Sequence, residues 1–360
     1  MKKSLLAVAV AAALPAAAFA QANVTLSGIV KLGVANTRIS DGGVTGSGTS
    51  IDDGSSRFII SGSDDLGGGM KGIFMLDTRI RPDEGPAAGS GLTAGNAFVG
   101  VAGGFGSVRL GRLDTYYYLG TDEFGGRAVA LQHSNISILS WVGGVVTPAI
   151  ANASRSANVV RYDLPAMGGV SGGVTYSFNF QGNDGAIGDA AKGDAWSLDL
   201  AWKSGPIAVG GAYWDADYEG LPTNDGQQAW RLYGSYDFGM FKVGLTWDDS
   251  KQKGATDFKR GAWSLPVTAK LGPGTVLFTY TQARDVKAAS TISDTGAKMF
   301  AVGYDYPLSK RTSLGVSYAQ LKNDANANYA LFTMGALGGH PAPTAGQDMG
   351  QWYIGLRHAF

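Results

Sequence analysis

The last ten residues of the chain alternate between apolar and polar positions with the two-residue period of a β-strand. Every second residue back from the C-terminus lies on one face, which is mostly apolar with an aromatic residue near each end: Phe360, His358, Leu356, Ile354 and Trp352. The other face is mainly polar or small. Tilted strands of ~9–11 residues with an apolar outer face and aromatic residues at both ends build transmembrane β-barrels. The pattern therefore predicts a barrel strand.

The same alternation recurs along the chain. In Trp196–Lys203, two tryptophans and two leucines share one face, and Ser, Asp, Ala and Lys share the other. Val24–Leu32 and Lys242–Asp248 divide in the same way. Any half-buried antiparallel sheet alternates, so the prediction depends on the repetition and not on one strand.

Turn signals divide the chain regularly. Seven clusters of Gly, Pro and Asp have hairpin length and lie near residues 65–69, 103–106, 165–169, 204–206, 237–240, 271–274 and 307–310. Eight longer connections alternate with them, near residues 37–55, 82–95, 113–153, 183–193, 218–227, 252–260, 286–297 and 323–349. These connections join 16 strands, so we predict an all-β fold: a 16-stranded antiparallel transmembrane β-barrel closed by its first and last strands.

Residues 1–20 have the composition of a cleaved signal peptide. Two lysines follow the initiating Met, Leu5–Ala13 is apolar, and residues 18–20 form a small-residue cleavage site. The apolar run is shorter than the ~20 residues of a spanning helix. A retained anchor is the alternative, which the missing basic flank disfavours. We predict removal of residues 1–20, with residues 21–360 forming one barrel domain.

Composition narrows the function classes. Removal of Lys2 and Lys3 leaves 27 basic residues (29 minus 2) against 29 acidic ones, a net charge of −2, whereas a nucleic-acid-binding protein needs a basic stripe. The chain has no cysteine, so an exported form lacks disulfides, and a closed hydrogen-bonded barrel supplies the stability instead. No other stretch approaches ~18 apolar residues, which excludes a helical membrane protein.

Five segments and the C-terminal residue resemble, in chain order, the general porins of Gram-negative bacteria, especially the β-proteobacterial trimeric porins. They are Asn23–Gly28, Ser56–Lys71, Ala97–Val101, Gly106–Arg112, Arg155–Tyr162 and Phe360. The resemblance implies an outer-membrane homotrimer in contact with outer-membrane lipid and lipopolysaccharide. It also implies that each barrel holds a water-filled pore for passive diffusion of small hydrophilic solutes and ions.

The resemblance further implies a constriction. In the family, the long third loop folds into the lumen, and its acidic residues face a ladder of basic residues on the wall. The corresponding connection, residues 113–153, is long enough to indicate a function by itself. Arg57 and Arg155 stand at wall-arginine positions. Two departures make the selectivity harder to predict: Gly95-Asn96 replaces a frequent arginine, and Lys31 a frequent aspartate.

Strand alternation assigns charges to the interior without reference to the family. Charged groups cost ~2–4 kcal/mol on the lipid face at mid-membrane, so they are expected to face the pore. The predicted constriction set is Lys31, Arg57, Arg79, Arg81, Arg109, Arg155 and Asp77 on the wall, with Asp122 and Glu123 on the long connection. Fixed charges at a narrow passage select ions, and the basic excess predicts a mild anion preference. The alternative is a solvated lining without a selective role.

Other chemistry is disfavoured. Gly67-x-Gly69-x-x-Gly72 fits the dinucleotide fingerprint, but that motif is meaningful only between a strand and a helix. The three histidines lack metal-ligand spacing, and Ser134 beside His133 is sequence adjacency without triad geometry. Carboxylate pairs such as Asp248-Asp249 are expected to be solvated at strand ends or loops, with a divalent cation as the alternative. We predict no enzyme activity, no cofactor and no metal site.

Three other functions remain as alternatives to the diffusion pore. A substrate-specific channel with a solute-binding constriction loop would show saturable block of its current. A barrel-type outer-membrane enzyme would hydrolyse lipid. A soluble secreted β-protein would need no detergent.

Overall fold

The computed structural model describes residues 23–41, 44–83, 85, 94–116, 130–131, 133–139, 155–180, 182, 193–218, 225–288, 293–331 and 343–360. In these ranges no helix is long and apolar enough to cross a membrane. A short 3-10 helix spans Asn135–Ser137. The strands are β1 (Asn23–Asp41), β2 (Val44–Asp53), β3 (Arg57–Gly67), β4 (Met70–Arg79), β5 (Ala97–Gly103), β6 (Gly106–Asp114), β7 (Arg155–Asp163), β8 (Val170–Ser177), β9 (Ala195–Ser204), β10 (Ile207–Asp217), β11 (Gly226–Asp237), β12 (Phe241–Lys253), β13 (Phe258–Leu271), β14 (Gly274–Ala283), β15 (Ala297–Pro307), β16 (Thr312–Asn323) and β17 (Asp348–Ala359).

The strands form one antiparallel sheet that closes on itself, because β1 pairs with β17 from Ile29↔Ala359 to Ser40↔Asp348. On its other side β1 pairs first with β3 and then with β2. β2 and β3 are therefore two halves of one barrel strand, interrupted at residues 54–56. The 17 segments make 16 barrel strands, which confirms the predicted closed antiparallel barrel and its strand count.

The seven predicted short turns all join consecutive strands. Two of the predicted long connections are wrong. Residues 37–55 mostly belong to β1 and β2, which pair from Leu32↔Asp53 to Asp41↔Val44, and residues 252–260 shrink to the gap between Lys253 and Phe258. The Ser, Thr and Gly content of these stretches resembles that of loops. The strands continue through these stretches because backbone hydrogen bonds between neighbouring strands do not depend on apolar side chains.

The predicted outer face is confirmed. On β9, Trp196, Leu198, Leu200 and Trp202 are exposed, while Ser197 between them is buried. On β17 the predicted apolar face is likewise exposed and the residues between are mostly buried.

The inner face is not uniformly polar. Inward side chains of β13–β17 form a buried apolar cluster with residues from two connections. The wall members are Ala262, Ala283, Ala297, Met299, Ala301, Ala319, Leu321 and Met349, and the connection members are Ile138, Leu139, Ala327, Tyr329 and Leu331. Alternation predicts a polar inner face. The inner face is apolar here because these connection residues cover it.

Candidate functional site

Basic residues of β1, β3, β4 and β17 share one patch of the inner wall. Lys31 on β1 pairs in register with Arg357 on β17, and Arg57 on β3 pairs with Arg79 on β4. Arg57 also pairs with Ile29, two residues before Lys31. Residues paired across antiparallel strands point to the same face, so the four side chains converge. We call Lys31, Arg57, Arg79 and Arg357 the basic wall.

The interruption between β2 and β3 orients two members of the basic wall. Ser55 has a φ of 79°, in the left-handed region that non-glycine residues rarely adopt. The Asp53 carboxylate stabilises this turn by accepting the N–H groups of Ser55 and Ser56 at 3.0 and 2.9 Å. The turn presents Ser55 Oγ to Arg79 Nη1 at 2.6 Å and Ser56 Oγ to the Lys31 N–H at 2.9 Å.

The charges of the basic wall are only partly compensated. Arg79 Nη2 donates to Asp77 Oδ2 at 2.9 Å, and Asp77 is buried. Lys31 Nζ donates to a backbone carbonyl of the connection between β6 and β7. The Nε atoms of Arg57 and Arg357 are buried and have no hydrogen-bond partner among the described residues. Arg357 also interacts electrostatically with Asp305 on β15. Four basic side chains against Asp77 and Asp305 leave the patch with excess positive charge.

Arg155 lies at the start of β7 in a separate ion pair. Its Nε is 2.8 Å from Asp114 Oδ1. Asn96 orients Asp114, because Asn96 Nδ2 donates to Asp114 Oδ2 at 2.8 Å and Asn96 Oδ1 accepts the Asp114 N–H at 2.6 Å. An amide at a position where the family often has an arginine thus supports the carboxylate that pairs with Arg155.

Arg109 belongs to another network, close to the short turns. Its Nε and Nη2 donate to the two oxygens of Asp163 at 2.8 and 2.7 Å. Arg161 donates to Asp163 at 2.7 Å and to Asp199 at 2.6 Å. Arg109 lies near the first residue of β6, whereas Arg155 pairs with the last. The structure therefore separates these two predicted site residues along the strand.

The three remaining predicted site residues, Arg81, Asp122 and Glu123, belong to connections and not to strands. Arg81 follows β4, and its carbonyl accepts the Gly85 N–H at 2.7 Å. Asp122 and Glu123 lie outside the described residues, so their opposition to the basic wall stays a prediction.

Residues 130–131 and 133–139, which we call the buried segment, contact strands far from β6 and β7. Asp305 on β15 accepts the Ala130 N–H at 2.8 Å, and Asn135 Nδ2 donates to Ser264 Oγ on β13 at 3.3 Å. Gly315 on β16 permits close approach, since a Cβ there would collide with the Ala130 carbonyl. Hydrogen bonds and direct backbone contact therefore hold the buried segment against β13, β15 and β16.

A buried ion network, which the sequence reasoning did not assign, joins β11, β12 and β13. Asp248 lies between Arg231 (Nη2 to Oδ2, 2.8 Å) and Arg260 (Nη2 to Oδ1, 2.9 Å), and all three side chains are at most 1% exposed. The Tyr116 hydroxyl donates to Asp248, and the Arg231 guanidinium lies 4.7 Å from the Tyr116 ring centroid. Arg260 also donates to two carbonyls of the buried segment.

Alternation contained the signal for this network. Arg231 stands between Trp230 and Leu232, which are exposed, so its inward direction follows from period two. The expectation that Asp248-Asp249 is a solvated pair at a strand end or loop is wrong for Asp248. β12 continues to Lys253, which places Asp248 inside the sheet and buries it.

His133 in the buried segment is 4% exposed, and neither ring nitrogen has a hydrogen-bond partner in the part of the chain that the structure describes. Burial, with a smaller effect from the positive charge of Lys31, lowers the pKa of His133 to about 4. Its imidazole is therefore neutral at neutral pH. Ser134 Oγ accepts the Ile136 N–H at 3.2 Å, and no hydrogen bond joins Ser134 to His133. The two side chains do not form a catalytic dyad.

A family model and individual porins from other bacteria match this chain over most of its length. The sequence model of the Gram-negative porin family matches residues 7–326. Outer membrane porin protein 32 of Delftia acidovorans is 33% identical over 372 residues and 100% of both chains. Major outer membrane protein P.IB of Neisseria meningitidis serogroup B is 31% identical over 94% of this chain and 98% of its own length.

Solved structures are also similar. The anion-selective porin from Comamonas acidovorans superposes with a TM-score of 0.78 at 28% identity, covering 94% of this chain and 100% of its own. OmpT of Vibrio cholerae, at 14% identity and a TM-score of 0.65, covers 94% of this chain and 98% of its own, and shares the fold.

The buried ion network generates the first prediction. Replacing Asp248 with Asn leaves two buried guanidinium groups without a carboxylate, which we expect to destabilise the protein by about 3–5 kcal/mol. Heat denaturation in detergent, followed by β-sheet circular dichroism, measures the loss. The matched control is Asp257→Asn, whose carboxylate pairs with Lys251 at the surface at 2.6 Å and contributes at most ~1 kcal/mol. Equal melting temperatures for the two variants contradict the prediction.

The buried imidazole generates the second prediction. An unfolded histidine titrates near ~6.5, so the lower folded pKa of His133, about 4, means that the unfolded chain binds the proton more strongly. Stability should then fall as the pH drops from about 6.5 to about 4, by up to ~3 kcal/mol. The pKa is measured by NMR titration, with the resonance assigned from its loss in His133→Phe. This variant should lose less stability on acidification than the natural protein. A measured pKa close to the unfolded value overturns the prediction.

Proposed function

Because this chain belongs to the Gram-negative porin family and is an outer-membrane channel, we propose that the connection between β6 and β7 narrows its pore. We propose further that the basic wall gives the channel a mild preference for anions. The observation that carries the preference is the convergence of four basic side chains, those of the basic wall, on one patch of the inner face.

Long-range contacts support an inward path for this connection. β6 and β7 are neighbours in the sheet, so a connection lying outside the barrel would contact strands near them. Instead Tyr116 bonds Asp248 on β12, and Lys31 on β1 bonds the carbonyl of Leu131. These partners lie on other sides of the closed sheet. A chain that reaches all of them through the interior occupies part of the cross-section and narrows the passage.

The balance of charge supports the anion preference. The basic wall holds four positive groups, while Asp77 bonds one of them, Arg79, and Asp305 interacts electrostatically with another, Arg357. Fixed charges act on a permeating ion within the ~8 Å screening length of physiological salt, so an ion passing the wall meets net positive potential. The similarity to the anion-selective porin from Comamonas acidovorans points in the same direction. Permeating solutes are then small, hydrophilic and neutral or anionic.

Porins of this family are typically trimeric, and the distribution of aromatic residues favours β1–β6 as the contact face of a homotrimer. All eight tryptophans and all fifteen tyrosines follow residue 115. The outer faces of the later strands carry exposed members of this set: Tyr176, Trp196, Trp202, Trp230, Tyr236, Tyr306 and Trp352. Trp and Tyr mark the two lipid–water interfaces of a barrel. A third of the barrel without them is the face that neighbouring subunits cover, while lipid and lipopolysaccharide contact the rest.

We also propose that residues 1–20 are a signal peptide removed on export. Their basic start, apolar run and small-residue site support this, and they lie outside the described residues.

The anion preference is tested by reversal potential in planar bilayers under a tenfold KCl gradient. The double variant Arg57→Gln, Arg357→Gln removes two positive charges of the basic wall and should shift the reversal potential towards cations by several millivolts. The control Lys310→Gln, Arg311→Gln removes equal charge from the exposed turn after β15 and should leave it unchanged. Replacing Asp122 with Asn and Glu123 with Gln should shift it towards anions. An unchanged potential in the first variant refutes the role of the basic wall.

The trimer face is tested by adding bulk to the outer wall. Val99 on β5 and Leu198 on β9 are both exposed apolar residues. Val99→Trp should clash with a packed neighbouring subunit and produce monomers, whereas Leu198→Trp meets fluid lipid and should leave the trimer intact. Light scattering of the detergent-purified proteins, with unheated gel migration, measures the assembly. An intact trimer for Val99→Trp places the subunit contact elsewhere.

A further inference from the structure

The connection between β16 and β17 also reaches into the buried apolar cluster. Its first described residues turn back immediately after the strand. Asn323 directs this turn, because its side-chain amide exchanges two hydrogen bonds of 2.9 Å with the backbone of Tyr329 and donates to the Gln347 carbonyl at 2.7 Å. Leu331 is anchored as well, since its N–H donates to Met349 Sδ at 3.4 Å. Ala327, Tyr329 and Leu331 are at most 3% exposed.

These residues meet the buried segment on the inner wall. Ile138 and Leu139 share one apolar cluster with Tyr329 and Leu331. The strand side of that cluster consists mainly of alanines, whose small side chains leave room for the large side chains of two connections. The apolar side chains of each connection are shielded from water partly by those of the other, so neither set is buried without the other.

Arg260 connects the same two pieces of chain through polar contacts. Its guanidinium donates to the carbonyls of Ile138 and Leu139 and to Asp248. The phenol of Tyr329 lies close enough to Arg260 to interact with its charge. The ring of Tyr329 therefore lies where the buried segment, the ion network and the last connection converge.

We propose that residues 324–331 form a clamp that holds the buried segment on the wall of β13–β17, and that Tyr329 is its positioning residue. The clamp limits the movement of the connection between β6 and β7 and therefore keeps the width of the pore constant. It acts mainly by packing of the aromatic ring, which lies in the buried apolar cluster with Ile138 and Leu139, while the phenol adds its interaction with Arg260. The proposal rests on the proposed function in one respect, the inward path of the connection between β6 and β7.

Single-channel recording tests the clamp. Tyr329→Ala removes the ring, so the connection between β6 and β7 should fluctuate more. The noise of the open-channel current should then rise several-fold, and the channel should close at lower voltage. Tyr329→Phe keeps the ring and should behave as the natural channel. Tyr306→Ala, which removes an exposed outward tyrosine, is the matched control. If Tyr329→Ala does not fold, Leu331→Ala makes the same test from the next buried position.

Thiol labelling gives a readout that does not depend on current. The chain has no cysteine, so Leu139→Cys introduces a single thiol at a fully buried position. A water-soluble maleimide should label this thiol slowly, and several-fold faster when Tyr329→Ala is added. Tyr306→Ala should not change the rate.

The outcomes distinguish the clamp from the proposed function. Unchanged noise together with an unchanged labelling rate overturns the clamp, whatever the ion preference. Faster labelling in a channel whose reversal potential does not respond to the basic wall supports the clamp and removes the selectivity proposal. Rapid labelling of the single Leu139→Cys variant itself would overturn the clamp, because the buried segment would then not be packed on the wall.

Discussion

Closure of the sheet by β1 and β17 is the constraint on which the rest of the structure depends. A backbone N–H or C=O without a partner costs several kcal/mol in hydrocarbon, so a sheet with free edges does not persist in a membrane. The ladder from Ile29↔Ala359 to Ser40↔Asp348 removes both edges. The last residue takes part, because Gly28 and Phe360 exchange backbone hydrogen bonds at 3.0 and 3.1 Å. The C-terminal aromatic residue is therefore part of the seam.

A closed sheet of 16 strands encloses more space than its inward side chains fill. The structure divides that space into unlike parts. On β13–β17 the inward side chains are small and apolar, and residues of two connections pack against them. On β1, β3, β4 and β17, basic side chains line the wall. The two parts depend on each other, since Lys31 in the basic wall also bonds the buried segment through the Leu131 carbonyl.

Fully buried charged groups inside the barrel are stable only where several partners are assembled at once. Desolvation of a buried ion costs more than a single pairing returns, unless further hydrogen bonds satisfy both partners. Asp248 meets this condition with two arginines, Ser250 and Tyr116. Its partners come from neighbouring strands and from the connection after β6. The network therefore forms only when the sheet is closed and that connection is packed, which couples the position of the connection to the register of the strands.

The sequence by itself determined the fold class, the strand count, the outer face and the positions of the short turns. These features follow from period-two alternation and from Gly, Pro and Asp clusters, which are properties of segments a few residues long. Alternation also predicted the inward direction of Arg57 and the exposure of the lipid face on β9. Local composition was misleading where polar stretches continue as paired strands, in Val44–Asp53 and at the end of β12.

Only the tertiary structure decided which charges meet. Arg155 pairs with Asp114 and Arg109 with Asp163, although the sequence gives both arginines the same inward direction. Asp248 is buried because β12 continues past it, and Arg357 joins Lys31 because the seam aligns them. Strand register, barrel closure and packing of the connections bring together residues far apart in sequence. Distances between such residues depend on the whole closed sheet, and no short pattern encodes them.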